Sequence, residues 1–447
     1  MKFRERHSRK RETSSRRVRK PFFSDRGGES GHGTSVEINL SPRKLVIAAG
    51  ALVAMVWLAW EIIAGTAAYN SPDPQNALAW NPSETKALDD LAYREVTKSD
   101  GNLDTARTLA QRALLSSPID ARALIVLGLI AEKEGDQGRA DRLMRLAGTR
   151  TWRDMVNQAC LLKRDIQVGE FENSLSHIDA ILRINPDFLD QMTPLISAFT
   201  VDQRSFEALE HFLGEGPPWR AAFLDRLSRQ AADPERLVQL YGSLKASAHP
   251  PDPTELSPYL DRQIKDGRLM EAYQTWQETL APAQRLKGGF PYNGDFTAPI
   301  DGLPFNWILR PAHGMDIKIV GAAPQGEGRA LQIQFSGTRV GPFTVEQLML
   351  LPPGEYRFTG QVRAEGLRTT RGLGWRVSCV GTAPTNVLAM TELVASPMPW
   401  SPFSVDFKVE DAGCRGQWVI LEIADRTASE RQIEGQVWYK NLSIQKR

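Results

Sequence analysis

The longest apolar run of the chain covers residues 45–63, LVIAAGALVAMVWLAWEII, and carries one charge, Glu61, near its end. At about 1.5 Å per residue, a helix of this length spans roughly 28 Å, close to the ~30 Å hydrocarbon thickness of a bilayer. One short segment cannot close into a barrel, so a helix is the form in which it can cross lipid with its backbone satisfied. The pattern predicts one transmembrane helix over residues 45–66, in preference to a buried core helix.

The pattern changes twice after this span. Residues 67–84 are rich in Asn, Pro and Ser and are predicted to form a linker. Residues 85–285 follow helical spacing, and residues 286–447 follow the short alternating runs of a β-sandwich. The predicted strands are Asp316–Val320, Ala330–Phe335, Glu355–Ala364, Leu373–Val380, Ser404–Val409, Trp418–Ile423 and Gln436–Ile444. The predicted fold class is therefore multidomain: a transmembrane helix, an all-α solenoid and an all-β sandwich.

A 34-residue repeat runs through the helical part. Gly101, Gly135 and Gly169 are 34 residues apart. A small residue follows each glycine five positions later, and a terminator slot follows seventeen positions later: Ala106, Ala140 and Ser174, then Pro118, Trp152 and Pro186. Small residues let paired helices approach, and a turn glycine accepts a left-handed backbone.

This spacing resembles the tetratricopeptide repeat, over about residues 85–283 and most clearly over 85–187. The resemblance implies a helical scaffold that presents a surface to partner proteins. It specifies a fold and not a site.

The sandwich region opens and closes with recognisable segments. It begins with Asn293-Gly294-Asp295-Phe296 and ends with the run GQVWYKNLSI at residues 435–444. These segments resemble a carbohydrate-binding, galactose-binding-like jelly-roll module, over about residues 288–447. Where such modules carry an acidic residue before the Asn of the last strand, this chain has Lys440, which argues against a structural calcium site. The resemblance implies glycan binding or a docking role.

Sugars pack their C–H faces on aromatic rings and pair their hydroxyls with polar or charged side chains. Trp307, Trp418 and Trp438 lie in the opening motif or in apolar strands and are predicted to be structural. Two other tryptophans lie near arginines or between prolines and are the better surface candidates. The predicted glycan-binding residues are Trp375, Trp400, Arg371 and Arg376.

Charge predicts the orientation of the chain. Residues 1–44 are predicted to be a disordered basic tail, with thirteen Lys/Arg against five Asp/Glu and a net charge of +8. The whole chain carries +2, so residues 45–447 carry −6. The positive-inside rule then predicts a single-pass protein of a bacterial inner membrane, with a cytoplasmic N-terminus and a periplasmic bulk. Nucleic acid is not an expected partner of the acidic folded part.

A cleaved signal peptide is the alternative to a retained anchor. Its basic region would be 44 residues long, and Trp60-Glu61 lies where small residues are needed before a cleavage site. The retained anchor is therefore preferred.

Three cysteines, Cys160, Cys379 and Cys414, are too few for a zinc cage, and none are in C-x-x-C spacing. In an oxidising compartment Cys379 and Cys414 could form a disulfide. Three unpaired buried thiols are the alternative.

Motifs for catalysis are absent: the six histidines are scattered, and no nucleophile elbow, zinc-protease, phosphate-loop or Rossmann pattern occurs. We expect no enzyme, no cofactor and no metal. The leading hypothesis is a non-enzymatic scaffold in the biosynthesis or export of a cell-surface polysaccharide, which contacts export proteins with its helices and a glycan with its sandwich. An envelope-assembly or division factor that binds only proteins is the second hypothesis. An enzyme would instead need a deep sandwich pocket with converging carboxylates.

Overall fold

The computed structural model describes residues 42–285, 289–321, 327–381 and 386–447. Most of the predicted basic tail, residues 1–41, therefore lies outside the described residues. The chain divides between Pro82 and Ser83 into two compact units.

The first unit contains the apolar helix α1 (Pro42–Asn70) and the short helix α2 (Pro74–Trp80). Within α1, Ala51–Asn70 is long and apolar enough to cross a membrane, and 11% of that span is buried. A helix with such length and composition was predicted. A retained anchor shares these properties with a signal sequence, so they do not orient the chain.

The predicted linker is more helical than its proline content indicates. Helix α1 continues to Asn70, and Pro74 occupies the first turn of α2. A proline there loses no helical hydrogen bond, because first-turn N–H groups have no partner within the helix. The Asp73 side chain accepts a hydrogen bond from Gln75 N and caps α2.

The second unit begins with helices that cover most of residues 85–285. Their bounds are α3 (Thr85–Thr97), α4 (Leu103–Ser116), α5 (Ala121–Lys133), α6 (Gln137–Gly148), α7 (Met155–Val168), α8 (Phe171–Ile184), α9 (Leu189–Ala198), α10 (Gln203–Gly214), α11 (Arg220–Gln230), α12 (Pro234–Lys245), α13 (Pro253–Lys265), α14 (Leu269–Thr279) and α15 (Pro282–Arg285).

The 34-residue spacing corresponds to three helical hairpins, α3–α4, α5–α6 and α7–α8, whose helices pack in pairs. Each repeat glycine lies in the turn inside a hairpin, and the small residues Ala106, Ala140 and Ser174 are buried. Gly135 and Gly169 have φ of 82° and 77°, the left-handed backbone that was predicted.

Gly101 has a different reason to be glycine, because its φ is not positive. A Cβ atom there would lie 1.8 Å from the backbone oxygen of Glu95. The turn between α3 and α4 therefore requires a residue without a side chain.

Ten β-strands follow in the described residues. Their bounds are β1 (Ile308–Arg310), β2 (Met315–Gly321), β3 (Arg329–Arg339), β4 (Thr344–Met349), β5 (Gly354–Arg368), β6 (Leu373–Cys379), β7 (Val387–Met390), β8 (Met398–Val409), β9 (Gln417–Ile423) and β10 (Gln432–Lys446). All seven predicted strands are confirmed, and β1, β4 and β7 are additional.

The strands form two antiparallel five-stranded sheets that pack as a sandwich. We call β2-β3-β10-β5-β8 the front sheet and β1-β4-β9-β6-β7 the back sheet. The core between them is aromatic: Trp375 contacts Trp307, Phe358 and Tyr439 at ring-centroid distances of 5.3–6.2 Å. The predicted all-β sandwich is confirmed by this strand pairing.

Helices and sandwich share one hydrophobic cluster. Trp276 of α14 packs on Phe305 and Tyr292, which precede β1, at ring-centroid distances of 5.8 and 5.0 Å. Leu348 of β4 is buried in the same cluster, and Trp418 of β9 packs against it. The outward side of the back sheet therefore packs against the helices.

A disulfide joins Cys379, at the end of β6, to Cys414, before β9, with an S–S distance of 2.02 Å. It links two positions 35 residues apart on the back sheet. Cys160 on α7 is a free, half-buried thiol.

Candidate functional site

The front sheet exposes one face, and its central strand β10 determines what that face presents. Along β10, Val437 and Tyr439 point into the sandwich core, while Trp438 and Lys440 alternate to the outer side. Trp438 pairs with Gln332 of β3 on one side and with Arg363 of β5 on the other. Indole, cation and amide groups are thereby brought together at the centre of the sheet.

Trp438 forms the base of this central patch. It packs against Ala330 and Val320, in a small cluster separate from the sandwich core, and is 9% exposed. The Arg363 guanidinium carbon lies 5.0 Å from the Trp438 ring centroid. Arg363 also donates to Glu365 at 3.0 Å, so its charge is balanced.

Trp400 and Lys440 form the second aromatic–cation pair of the patch. Trp400 lies on the edge strand β8, and Lys440 Nζ is 4.5 Å from its ring centroid. Trp400 is half-buried and is the more exposed partner, because Lys440 is only 7% exposed. The Trp400 Nε1 donor is buried, and no described residue accepts a hydrogen bond from it.

Side-chain amides complete the patch. Gln332 Nε2 donates to Gln436 Oε1 at 3.0 Å, and Gln361 pairs across the strands with Lys440. Around these groups the outward residues Gln334, Ser404 and Pro402 are exposed. The patch combines indole surface, amide groups and cations on an open sheet face.

Local sequence explains why this face can form. Asn441 has φ of 54°, and the β10–β5 register shifts between Lys440 and Ser443. This irregularity ends the alternation directly after Lys440. Pro402 removes an N–H from β8 at no cost to the ladder, since β8 is an edge strand.

The four predicted glycan-binding residues do not form one site. Trp375 was predicted to be a surface residue, and this is wrong: it is 1% exposed and lies in the sandwich core. Arg371 and Arg376 are ion-paired with Glu430 and Glu422 at 3.2 and 2.7 Å, away from the front-sheet patch. Among the four, Trp400 is the residue that lies in the patch.

Sequence reasoning missed Lys440 and Arg363 as site residues and assigned Trp438 to the fold. The signal was present in the run QVWYK at residues 436–440, where alternation places Trp438 and Lys440 on the same side. Knowing which side faces outward requires the sheet order, which the run does not contain.

Apart from the front-sheet patch, a cavity of 760 Å³ lies between the helices and the sandwich. Its walls include Tyr241, Tyr259 and Leu256 from the helices, and Tyr292 and Asp301 from the segment before β1. The Tyr292 hydroxyl is buried and has no hydrogen-bond partner in the part of the chain that the structure describes.

A groove of 1000 Å³ runs along the helical hairpins and is bordered by Trp152, Arg153, Arg183, Phe212 and Glu215. Trp152 occupies the second of the three terminator slots of the repeat and is 58% exposed. An exposed indole beside two arginines is typical of protein-binding surfaces.

The buried titratable groups of the hairpins form packed networks. His177 Nδ1 lies 2.6 Å from Gln158 Oε1, and its Nε2 lies 3.3 Å from Asp165. Burial lowers the pKa of His177 and raises the pKa of Asp165. In the described ranges, no group of three or more His, Cys, Asp or Glu side chains could hold a metal ion.

No protein-family profile and no curated protein matches the chain. The sandwich resembles carbohydrate-binding modules of known structure. A CBM4 module is 12% identical, with a TM-score of 0.27, and covers 35% of this chain and 99% of its own. The xylan-binding CBM22-1 domain of Paenibacillus barcinonensis Xyn10C is 11% identical, with a TM-score of 0.22, and covers 31% and 85%.

TmCBM61, solved in complex with β-1,4-galactotriose, is 16% identical, with a TM-score of 0.22, and covers 32% of this chain and 88% of its own. These similarities concern the fold of the sandwich alone.

Proposed function

We propose that this chain is a non-enzymatic, membrane-anchored scaffold of a double-membrane bacterium, which binds a cell-surface polysaccharide during its biosynthesis or export. The front-sheet patch carries the proposal, because indole rings, amides and cations lie together on an open sheet face. Flat aromatic and amide surfaces suit a polysaccharide, which presents C–H faces and hydroxyls to a protein along its length.

The helical part is proposed to act as a tetratricopeptide-like scaffold for other proteins of the export system. Three hairpins with equivalent glycine and small-residue positions support this assignment. The groove beside Trp152 is the candidate contact surface. The rigid junction at Trp276 would then hold bound protein and bound glycan in a fixed arrangement.

Topology is part of the proposal. Helix α1 is proposed to remain as an inner-membrane anchor, with the basic tail in the cytoplasm and residues 83–447 in the periplasm. The +8 tail and the Cys379–Cys414 disulfide both support this orientation. A phosphatase reporter fused after Arg447 should be active, because this enzyme works only in the periplasm. Cytoplasmic activity of a reporter fused at the same position would contradict the orientation.

Two tryptophan substitutions test whether the sandwich binds the polysaccharide and the helices bind the partner proteins. In the full chain in lipid nanodiscs, Trp400→Ala should lose polysaccharide binding and keep its co-purifying proteins. Trp152→Ala is the matched control, and it should keep polysaccharide binding and lose the co-purifying proteins. Polysaccharide retention by Trp400→Ala at the wild-type level would refute the patch as the glycan site.

An envelope-assembly or division factor that binds only proteins is the alternative function, favoured by the size of the Trp152 groove. It predicts co-purifying division or assembly proteins and no retention of any polysaccharide by the wild-type chain.

A further inference from the structure

We propose that the front-sheet patch selects an acidic polysaccharide, with a sugar carboxylate bound between Lys440 and the indole N–H of Trp400. The inference rests on the proposed function and adds the chemical class of the glycan. It starts from two neighbouring donors, the buried indole N–H of Trp400 and the ammonium group of Lys440, for which the described protein residues supply no acceptor.

Lys440 is the first of these donors. It is 7% exposed, and within the described part of the chain its Nζ has no hydrogen bond and no carboxylate within ion-pair distance. Its contact is with the Trp400 ring, 4.5 Å away. Burial of an ammonium group without a counter-charge is costly, and a cation–π contact offsets only part of that cost.

Lys440 differs in this respect from other cations of the sandwich. Arg357 and Arg376 lie 2.7 Å from Asp406 and Glu422, and Arg371 lies 3.2 Å from Glu430. These three arginines are all more exposed than Lys440 and all have a carboxylate partner. Lys440 is thus less exposed than these three arginines, yet no described residue supplies it with a carboxylate.

Trp400 Nε1 is the second donor. It is buried without an acceptor, although its indole ring contacts Lys440. One carboxylate has two oxygens, so it can accept from both donors at once and balance the charge of Lys440. A neutral sugar hydroxyl could accept one of these hydrogen bonds, but it would leave the charge unbalanced.

Arg363 lies on the same face, where Glu365 balances its charge at 3.0 Å. It lies over Trp438, and Trp438 and Lys440 are two residues apart on β10, about 6.6 Å along the strand. A polymer bound here would therefore place one carboxylate at Lys440. Gln332, Gln361 and Gln436 remain for its hydroxyls.

The test uses four polymers and the full chain in phosphatidylcholine nanodiscs. Polygalacturonate carries a carboxylate on each sugar, and its methyl ester keeps the backbone without the charge. β-1,4-Galactan is a neutral glycan, and polyphosphate is an anion without sugar. Wild-type chain should bind polygalacturonate about 10- to 100-fold more tightly than the methyl ester, the range for a hydrogen bond to a charged group.

Lys440→Met should remove this 10- to 100-fold preference, so that polygalacturonate and its methyl ester bind equally, whereas Lys440→Arg should retain the preference. Lys408→Met is the matched control, because Lys408 is an exposed lysine on β8 that pairs with Glu410 at 3.0 Å. The melting temperature of Lys440→Met should not fall, since the substitution keeps the length of a largely buried side chain and removes an ammonium group that has no carboxylate partner among the described residues.

Equal binding of polygalacturonate and its methyl ester, with no effect of Lys440→Met, would overturn the acidic class and leave the proposed glycan function standing. Binding of polyphosphate as tight as polygalacturonate would overturn it too, as charge without sugar would suffice. Failure of the wild-type chain to bind any of the three glycans would overturn both proposals.

Discussion

At the residue scale, two tryptophans of the sandwich illustrate opposite uses of the same side chain. Trp375 is enclosed by aromatic rings in the core, whereas Trp400 lies half-buried on the front face. Trp375→Ala should destabilise the sandwich by about 3–5 kcal/mol, because the cavity it leaves cannot collapse fully. Trp400→Ala should lower the free energy of unfolding by clearly less than Trp375→Ala does. Denaturant unfolding of the solubilised chain measures both losses. Equal losses would contradict the burial difference.

The sequence could not separate these roles, for a physical reason. Both sides of β6 are covered, one by the front sheet and one by Met390 and Leu393, which lie against Gly374, so six of its seven residues are buried. A strand covered on both sides has no polar–apolar alternation to identify its outward positions. Nearby arginines made Trp375 resemble a surface residue, although both arginines are held in ion pairs.

Asp89 gives the helical part a pH-dependent stability. Burial, followed by the charge and hydrogen bond of Asp120, raises its pKa to about 8. The folded state therefore keeps a proton that the unfolded chain loses near pH 4. As the pH rises from about 4 to about 8, Asp89 should therefore decrease the free energy of unfolding, by at most about 1.4 kcal/mol per pH unit.

Asp89→Asn removes this titration. The stability difference between the variant and the wild type, measured by unfolding from pH 4 to pH 9, should grow in favour of the variant up to about pH 8 and then level off. A difference that does not change with pH would contradict the protonated state of Asp89.

At the scale of elements, two of the repeat glycines should differ in how much an alanine substitution lowers stability. Gly135→Ala forces a left-handed backbone on a side chain that meets no neighbour, so it should cost about 1–2 kcal/mol. Gly101→Ala should cost more, because its Cβ would overlap the Glu95 backbone oxygen and the whole turn must move. Thermal unfolding of both variants checks this order, and a smaller loss for Gly101→Ala would refute it.

Elements with strong periodicity could be predicted, and short ones could not. The seven predicted strands alternate clearly between apolar and polar residues. Strands β1 and β7 have only three and four residues, too few for alternation to be visible, and β4 lies among prolines and turns. The proline content of residues 67–84 predicts a linker and not helix α2. Pro74 is nevertheless compatible with that helix, because it occupies the first helical turn.

At the scale of the whole molecule, the Trp276 junction predicts how the two parts of the second unit unfold. Their shared cluster should make helices and sandwich unfold in one transition in the wild type. Trp276→Ala should cost about 3–5 kcal/mol and split that transition in two. Calorimetry with helical circular dichroism as a second probe checks this; two transitions in the wild type would contradict the shared core.

This docking was outside what the pattern of residues could predict. Alternation separates a helical region from a strand region, but it does not show that α14 packs Trp276 against Phe305 and the back sheet. The consequence is functional, since the helices occupy one side of the sandwich and the patch lies on the front sheet. The charge split around α1, by contrast, can be read from composition alone.

Hydrogen–deuterium exchange of the full chain in nanodiscs, with and without polygalacturonate, tests most directly whether the front sheet binds a polysaccharide. The account predicts slower exchange on addition of the polymer in residues 361–365, 398–402 and 436–440, with no change in the hairpins of residues 85–184. Protection confined to the hairpins, or none at any polymer concentration, would contradict it.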